Sequence, residues 1–504
     1  MSEPLFPIPE SWVWATVQDS IVDAQPGFAS GKKNVPGGIK HLRMNNISSE
    51  CTLDLSSVRT VPRELAKAAY ILKPGDVLFC HTNSQKLVGK TAMFDRTDGP
   101  YAFSNHLTRL RIPESSVPPE WIWCWLATIW REGYFESRCK QWVNQATVER
   151  KTLLSAPIPI APLHEQMRIV SHLRELRRIN LIAKTSLEKV PQLLARLRQT
   201  FLAGAITGKL TERNPVDEPA SFFLKRIGEE QRKRWNSSVR AEEKELRRHE
   251  NKRPETTETE ALPTLPGGWA WTNIGALIYD AGYGTSRKCN NDSGGTPVLR
   301  IPNIVKGILD FRDLKYSKFD GDEIGRLRLE RGDLLVCRTN GSLDLVGKSA
   351  VVDRLDDTFL FASYLIRLRP AISEVLPAYL NLVLASFIGR KTIESKTRST
   401  AGQYNINLEM LRSIPVPLPP FEEMNRILTK IGEQFSTLEE ARRAVSTGHN
   451  RAAMFERSML SNAFRGKLLV QDPKDEPASV LLGRIKANRF VAVRKKNHRV
   501  SGSQ

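Results

Sequence analysis

Two pairs of loops carry side chains suited to reading the edge of a base. Arg43-Met-Asn45-Asn46 has its counterpart in Arg300-Ile-Pro-Asn303, and His81-Thr82-Asn83-Ser-Gln-Lys86 in Arg338-Thr339-Asn340-Gly-Ser342. Arginine bridges guanine O6 and N7, asparagine and glutamine bridge adenine N6 and N7, and serine or threonine serves either role. Lys90, Lys348, Lys32, Lys33, Arg287 and Lys288 are candidates to neutralise phosphates and set the register. Asparagine and threonine also cap turns, so each loop has a second reading as plain framework.

No catalytic constellation accompanies these loops. Gly89-Lys-Thr91 and Gly347-Lys-Ser349 resemble the end of a phosphate-binding loop, but Ser84 and Ser342 stand where its first glycine belongs. Gly282-Tyr-Gly284 lacks the third glycine of a dinucleotide fingerprint. The 8 histidines show no metal spacing, and the 6 cysteines form no Cys-x-x-Cys pair. Cys80 and Cys337 end apolar runs, where a reduced cysteine simply packs. The Asp-Pro-Pro-Tyr or Asn-Pro-Pro-Tyr segment of an adenine methyltransferase is missing, as are helicase motifs. The expectation is a protein that binds and does not catalyse, with no metal site.

Charge points to the partner. Among 504 residues, 75 Lys and Arg face 55 Asp and Glu, a formal charge of +20, with a pI of about 9.7. That excess calls for a polyanion, and nucleic acid is the first candidate. A membrane is set aside because no apolar run approaches the ~20 residues of a spanning helix. The start, Met1-Ser-Glu-Pro-Leu-Phe-Pro7, has neither the basic start nor the apolar core of a signal peptide, so a cytoplasmic protein is expected.

The elements that must position the loops occur twice. Trp12-Val-Trp14 matches Trp269-Ala-Trp271, and Gly75-Asp-Val-Leu-Phe-Cys80 matches Gly332-Asp-Leu-Leu-Val-Cys337. Leu107-Thr-Arg-Leu-Arg111 matches Leu365-Ile-Arg-Leu-Arg369, and Asp217-Glu-Pro-Ala-Ser221 matches Asp475-Glu-Pro-Ala-Ser479. The offset is near-constant, which defines a tandem duplication. In each copy a proline-punctuated extended segment (Ser155 to Pro162, Ser413 to Pro420) runs into a long helix, about 163–207 and 421–465. Proline at the entry costs no hydrogen bond, and the acids that follow suit a helix N-terminus.

Along the first helix, apolar or small residues fall at Ile169, Leu173, Leu176, Asn180, Ala183, Leu187, Val190, Leu194, Leu197, Phe201 and Gly204. The second matches with Ile427, Ile431, Gln434, Leu438, Ala441, Val445, Gly448, Ala452, Phe455, Met459 and Asn462. Steps alternating four and three make a heptad seam, and two matched seams predict that the helices pair. Each would span ~60 Å, and Pro191 should kink the first. The expected architecture is α+β: recognition domains at 1–157 and 262–415, long helices with their exits at 158–221 and 416–482. A charged connector at 222–261, helical and then flexible, and a basic, solvated tail at 483–504 complete it.

This layout resembles the specificity subunit of a type I restriction–modification enzyme over nearly the whole chain. The resemblance rests on the Pro-x-Pro entries into Glu165-Gln-Met-Arg-Ile169 and Glu423-Met-Asn-Arg-Ile427. It also rests on Ala205-Ile-Thr-Gly-Lys-Leu210 and Ala463-Phe-Arg-Gly-Lys-Leu468 at the helix ends, and on the Trp-x-Trp starts. It implies a subunit of a bacterial or archaeal cell without catalysis or cofactor of its own, reading a bipartite, asymmetric double-stranded DNA target. Two methyltransferase subunits would use S-adenosylmethionine to methylate adenine N6, and endonuclease/translocase subunits would need ATP and magnesium. The helices would form an antiparallel coiled coil held by Leu176, Leu187, Leu194, Leu438, Val445 and Phe455, setting half-sites about one turn apart, ~34 Å. The alternative is a free-standing DNA-binding regulator or architectural protein; an enzyme with an unfamiliar site and a purely structural coiled coil are further rivals.

Overall fold

Each long helix starts where a proline strand ends. Pro157–Ile160 pairs antiparallel with Val13–Thr16, and Pro415–Leu418 with Ala270–Asn273. Both are two-stranded sheets, so the missing N–H groups of the prolines can face away from the partner. The exposed carbonyls find indole and phenol donors instead. Trp125 Nε1 donates to Pro157 O at 2.7 Å, Trp121 Nε1 to Pro159 O at 2.9 Å, and the Tyr379 hydroxyl to Pro417 O. The computed structural model describes residues 4–21, 23–113, 117–237, 262–400 and 402–487.

The recognition domains share one topology. An antiparallel four-stranded sheet runs Asp23–Pro26, Leu107–Arg111, Val77–Cys80, Thr91–Met93; its counterpart runs Ile278–Tyr283, Leu365–Pro370, Leu334–Cys337, Ser349–Val351. Successive strand residues face opposite sides. Val77 and Phe79 therefore enter the core under the helix Pro119–Arg131, while Leu78 and Cys80 enter a second core beneath another sheet. That sheet, Arg59–Val61, Ile39–Leu42, Tyr101–Phe103, contains one parallel pairing, as does its counterpart Lys315–Ser317, Thr296–Leu299, Leu360–Phe361. The repeated Asp and Arg residues are consumed here. Arg109 pairs with Asp23 and Arg111 with Asp76, both at 2.6 Å; Arg367–Asp280 and Arg369–Asp333 repeat the pattern at the same distance.

The described residues of Met1–Glu188 with Ser446–Gln504 form one compact unit, and those of Lys189–Val445 the other. The division falls inside both long helices, Leu163–Ile206 and Phe421–Phe464, and not at 157/158 and 415/416. The physical reason is that a single amphipathic helix cannot bury its stripe alone. In the first unit Ile169 and Leu173 share a core with Trp12 and Trp121, and so do Leu460, Ala463 and Phe464 from the other helix. The Phe464 ring lies 4.8 Å from that of Trp121, edge to face. The second unit repeats this with Leu202, Ala205, Met424 and Ile427.

Within each unit the helices pair antiparallel. Asn180 Nδ2 donates to Ala452 O at 3.2 Å, and Leu187 packs toward Gly448; in the second unit the Arg198 guanidinium lies 3.8 Å above the Phe435 ring. The heptad seam needs correcting. Leu438 is buried and Leu176, Leu187, Leu194 and Val445 are half-buried, but Phe455 is 44% exposed and Ala183 and Leu197 are also outside. Glu456, Lys184 and Arg198 take the inward places, one residue on. An α-helix drifts by roughly 20° per heptad against a strict 3.5 repeat, and the stripe moves over by one residue. The helix continues through Pro191.

Each helix ends on a glycine with positive φ, Gly208 at 69° and Gly466 at 66°. There Lys209 N reaches back to Gly204 O at 2.9 Å and Lys467 N to Asn462 O at 2.8 Å, the Schellman closure. The repeated Asp-Glu-Pro-Ala-Ser segments then turn the chain back. Asp475 pairs with Arg168 at 2.6 Å and Asp217 with Arg426. Short helices follow whose Phe223 and Ile227, or Leu481 and Ile485, are buried in the cores. The connector expected from 222 and the tail expected from 483 are thus docked at their beginnings. The remainder of each, 238–261 and 488–504, lies outside the described residues. Among the described residues no helix is long and apolar enough to cross a membrane.

Candidate nucleic-acid interface

Four of the expected readers are framework. Asn46 is 2% and Asn303 1% exposed. Asn46 Oδ1 accepts from Arg43 N at 2.9 Å, and its Nδ2 donates to Asp54 O at 2.9 Å and Ser57 O at 3.1 Å. Asn303 does the same with Arg300 N, Asp310 O and Asp313 O. Each closes a tight turn and has no face left for a base. Thr82 and Thr339 are buried in strands, their hydroxyls facing Thr147 and Gln403. Lys90, 6% exposed, donates to Ile47 O and is no phosphate ligand, whereas its counterpart Lys348 is exposed.

A second group is held by local partners. Arg287 pairs with Glu323 at 2.8 Å and donates to Lys318 O at 2.7 Å. Arg300 pairs with Asp313 at 2.9 Å, and Arg338 lies 4.6 Å above the Tyr283 ring. Asn83 Oδ1 accepts from Ser84 N and Asn340 Oδ1 from Ser342 N, so both shape their loops. His81 shares a 2.9 Å hydrogen bond with Thr108 Oγ1; burial pushes its pKa down, and His106 adds to that. Asn45, Lys86, Lys288, Ser342 and Lys348 stand exposed.

The first domain brings its loops onto one continuous face. His81 N donates to His106 O at 3.1 Å, and Thr82–Asn83 pairs with Ala146–Thr147 of a hairpin whose tip carries Trp142, 69% exposed, and Val143. Beside it lies a cavity of about 260 Å³ whose lining includes Lys32, Lys33, Arg43, Asn45, Arg59 and His106. Burial and the neighbouring Arg59 both push the Arg43 pKa down. The second domain has the same frame: Arg338 N donates to Tyr364 O at 2.9 Å, and Thr339–Asn340 pairs with Gln403–Asn405. Tyr364 is exposed where the first domain has His106. Arg59, His106, Trp142 and Tyr364 escaped the sequence reading. The signal was present for one pair: His106 and Tyr364 differ in front of the matched strands Leu107–Arg111 and Leu365–Pro370. Among the described residues no group of three His, Cys, Asp or Glu could hold a metal ion.

Residues 266–445 match the type I restriction modification DNA specificity domain. The specificity subunit of the type I restriction enzyme EcoKI from Escherichia coli K12 is 26% identical, over 98% of each chain. That of StySPI from Salmonella potsdam is 25% identical, again over 98% of each. The fold matches the HsdS subunit from Thermoanaerobacter tengcongensis with a TM-score of 0.55 at 17% identity, over 93% of this chain and 100% of that one. A chain solved in a study of the assembly and conformational transition of the type I R-M system matches with 0.60 at 17% identity, over 92% and 100%. Over nearly its whole length the chain is thus similar to the specificity subunits of type I restriction–modification enzymes.

Proposed function

We propose that this subunit recognises a bipartite, asymmetric DNA target, one half-site per recognition domain, and places adenine-N6 methyltransferase and endonuclease subunits on it. One observation carries the reading: the same sheets and turns present two loop faces whose exposed residues differ, Lys32, Asn45, Lys86 and Trp142 in one, Lys288, Ser342, Lys348 and Tyr364 in the other. Equal frames with unequal readers suit two different short sequences. Exposed Ile179, Ile182 and Met454 on the long helices offer apolar surface to two methyltransferase subunits. S-adenosylmethionine, ATP and magnesium would be held by the partners, and the complex would work in the cytoplasm.

Sequencing of host DNA with detection of methylated bases, with and without the gene, tests this. Loss of N6-methyladenine at one two-part motif is the expected result. Exchange of residues 1–157 for those of a relative should then change one half of the motif only; a change in both halves would refute the two-reader model. Unchanged methylation combined with tight DNA binding by the chain alone would favour the free-standing regulator.

A further inference from the structure

We propose that Lys32, Lys33, Arg43 and Arg59 of the first recognition domain clamp one backbone phosphate of the DNA, and that the matching place in the second domain carries no such clamp. The inference rests on the DNA-recognition reading and reassigns Arg43 from base reader to anchor. The four cations line the same cavity, and no acidic residue is among its walls. Among the described residues no carboxylate pairs with either arginine, and the buried Nε of Arg43 has no hydrogen-bond partner. Two guanidiniums held side by side without a counter-ion are costly in the free protein, so an anion that enters relieves both repulsion and desolvation. The wall also holds His41, 4% exposed and packed on the Phe28 ring at 4.8 Å, whose Nε2 is buried and unpartnered. A base edge lies within the groove of a duplex and does not enter a concavity of this kind, whereas phosphates project from it.

In the second domain the corresponding guanidiniums have carboxylate partners, although the buried Nε of Arg300, like that of Arg43, has no hydrogen-bond partner. Arg300, the counterpart of Arg43, is ion-paired with Asp313. Lys315, the counterpart of Arg59, donates to Asn291 Oδ1, and Val298 replaces His41. Arg287, in the loop corresponding to Lys32 and Lys33, is bound to Glu323. Those three cations are partnered within the domain, and of the matching loop Lys288 stands exposed.

The test is the salt dependence of DNA binding by the purified full chain. Anisotropy titrations between about 50 and 200 mM KCl would use a duplex with the methylated motif and a scrambled duplex. Arg43→Gln and Arg59→Gln should each flatten the slope of log K against log salt, and the two together by up to ~0.9, and should weaken both duplexes by the same factor. Lys33→Gln, at an exposed side chain that cannot unfold the protein, should act in the same direction, and Arg300→Gln should leave the slope unchanged. Relaxed preference at one base pair with an unchanged slope would make Arg43 a base reader and overturn the clamp. A melting-temperature rise with inorganic phosphate, lost in Arg43→Gln while the DNA slope stays the same, would make the cavity a small-anion site and also overturn it. Wild-type protein that binds neither duplex at any salt would overturn the DNA-recognition reading along with the clamp, whereas intact binding with unchanged slopes would sink the clamp alone.

Discussion

Replacing Glu456 by glutamine should destabilise the first unit by about 3 kcal/mol. Its carboxylate, almost fully buried, meets Arg131 and Lys184, each at 3.0 Å, and those side chains are themselves only 12% and 19% exposed. Removing one member of a buried cluster leaves its partners charged and uncompensated, typically ~3–5 kcal/mol. The low end applies because Lys184 keeps a second partner in Glu50 at 3.0 Å. At ~2–4 °C per kcal/mol for a unit of this size, calorimetry at pH 7 should show a drop of about 6–12 °C in that unit's transition. Burial raises the Glu456 pKa, but Arg131 and Lys184 outweigh it and hold it below the ordinary carboxylate value. The folded pKa therefore lies below the unfolded one of ~4.3. The contribution is present in full above that value and is lost as pH falls through the folded pKa. The difference between wild type and Glu456→Gln should accordingly shrink under acid. A cost below about 1 kcal/mol, or one that did not diminish in acid, would show the cluster to be screened by water and refute the reasoning.

Three further outcomes follow from hydrogen bonding, exposure and packing. Asn46→Ala should cost about 1–3 kcal/mol by leaving a backbone donor and two carbonyls unpaired, visible in urea melts. Asn45→Ala beside it should leave stability within about 0.5 kcal/mol and weaken DNA binding. Gly448→Val should destabilise by ~1–3 kcal/mol, because a Cβ there already meets Leu187 Cδ1 at 3.1 Å; an unchanged melting curve would mean that the helices separate easily at that level.

The duplicated plan was legible because it is written in local chemistry. Proline strands, helix entries at Pro162 and Pro420 and terminal glycines at Gly208 and Gly466 each act within a few residues of themselves. The candidate site was legible only in outline. Asn45 and Asn46 are neighbours of one type, yet one is exposed and the other closes a turn with Asp54 and Ser57. Lys90 and Lys348 occupy matched motifs, yet only the first finds a buried carbonyl.

Periodicity, spacing and charge count, properties of the chain alone, determined the two α+β repeats, the long helices and the expectation of a polyanionic partner. Tertiary structure alone decided that each unit joins parts of both helices, that the segments after them return to dock, and that His41, Arg43 and Arg59 face one cavity. Those outcomes depend on burial and on the pairing of charges across long stretches of chain. A residue type fixes what a side chain can bond; only the fold fixes whether its partner is a carboxylate, a carbonyl or open space.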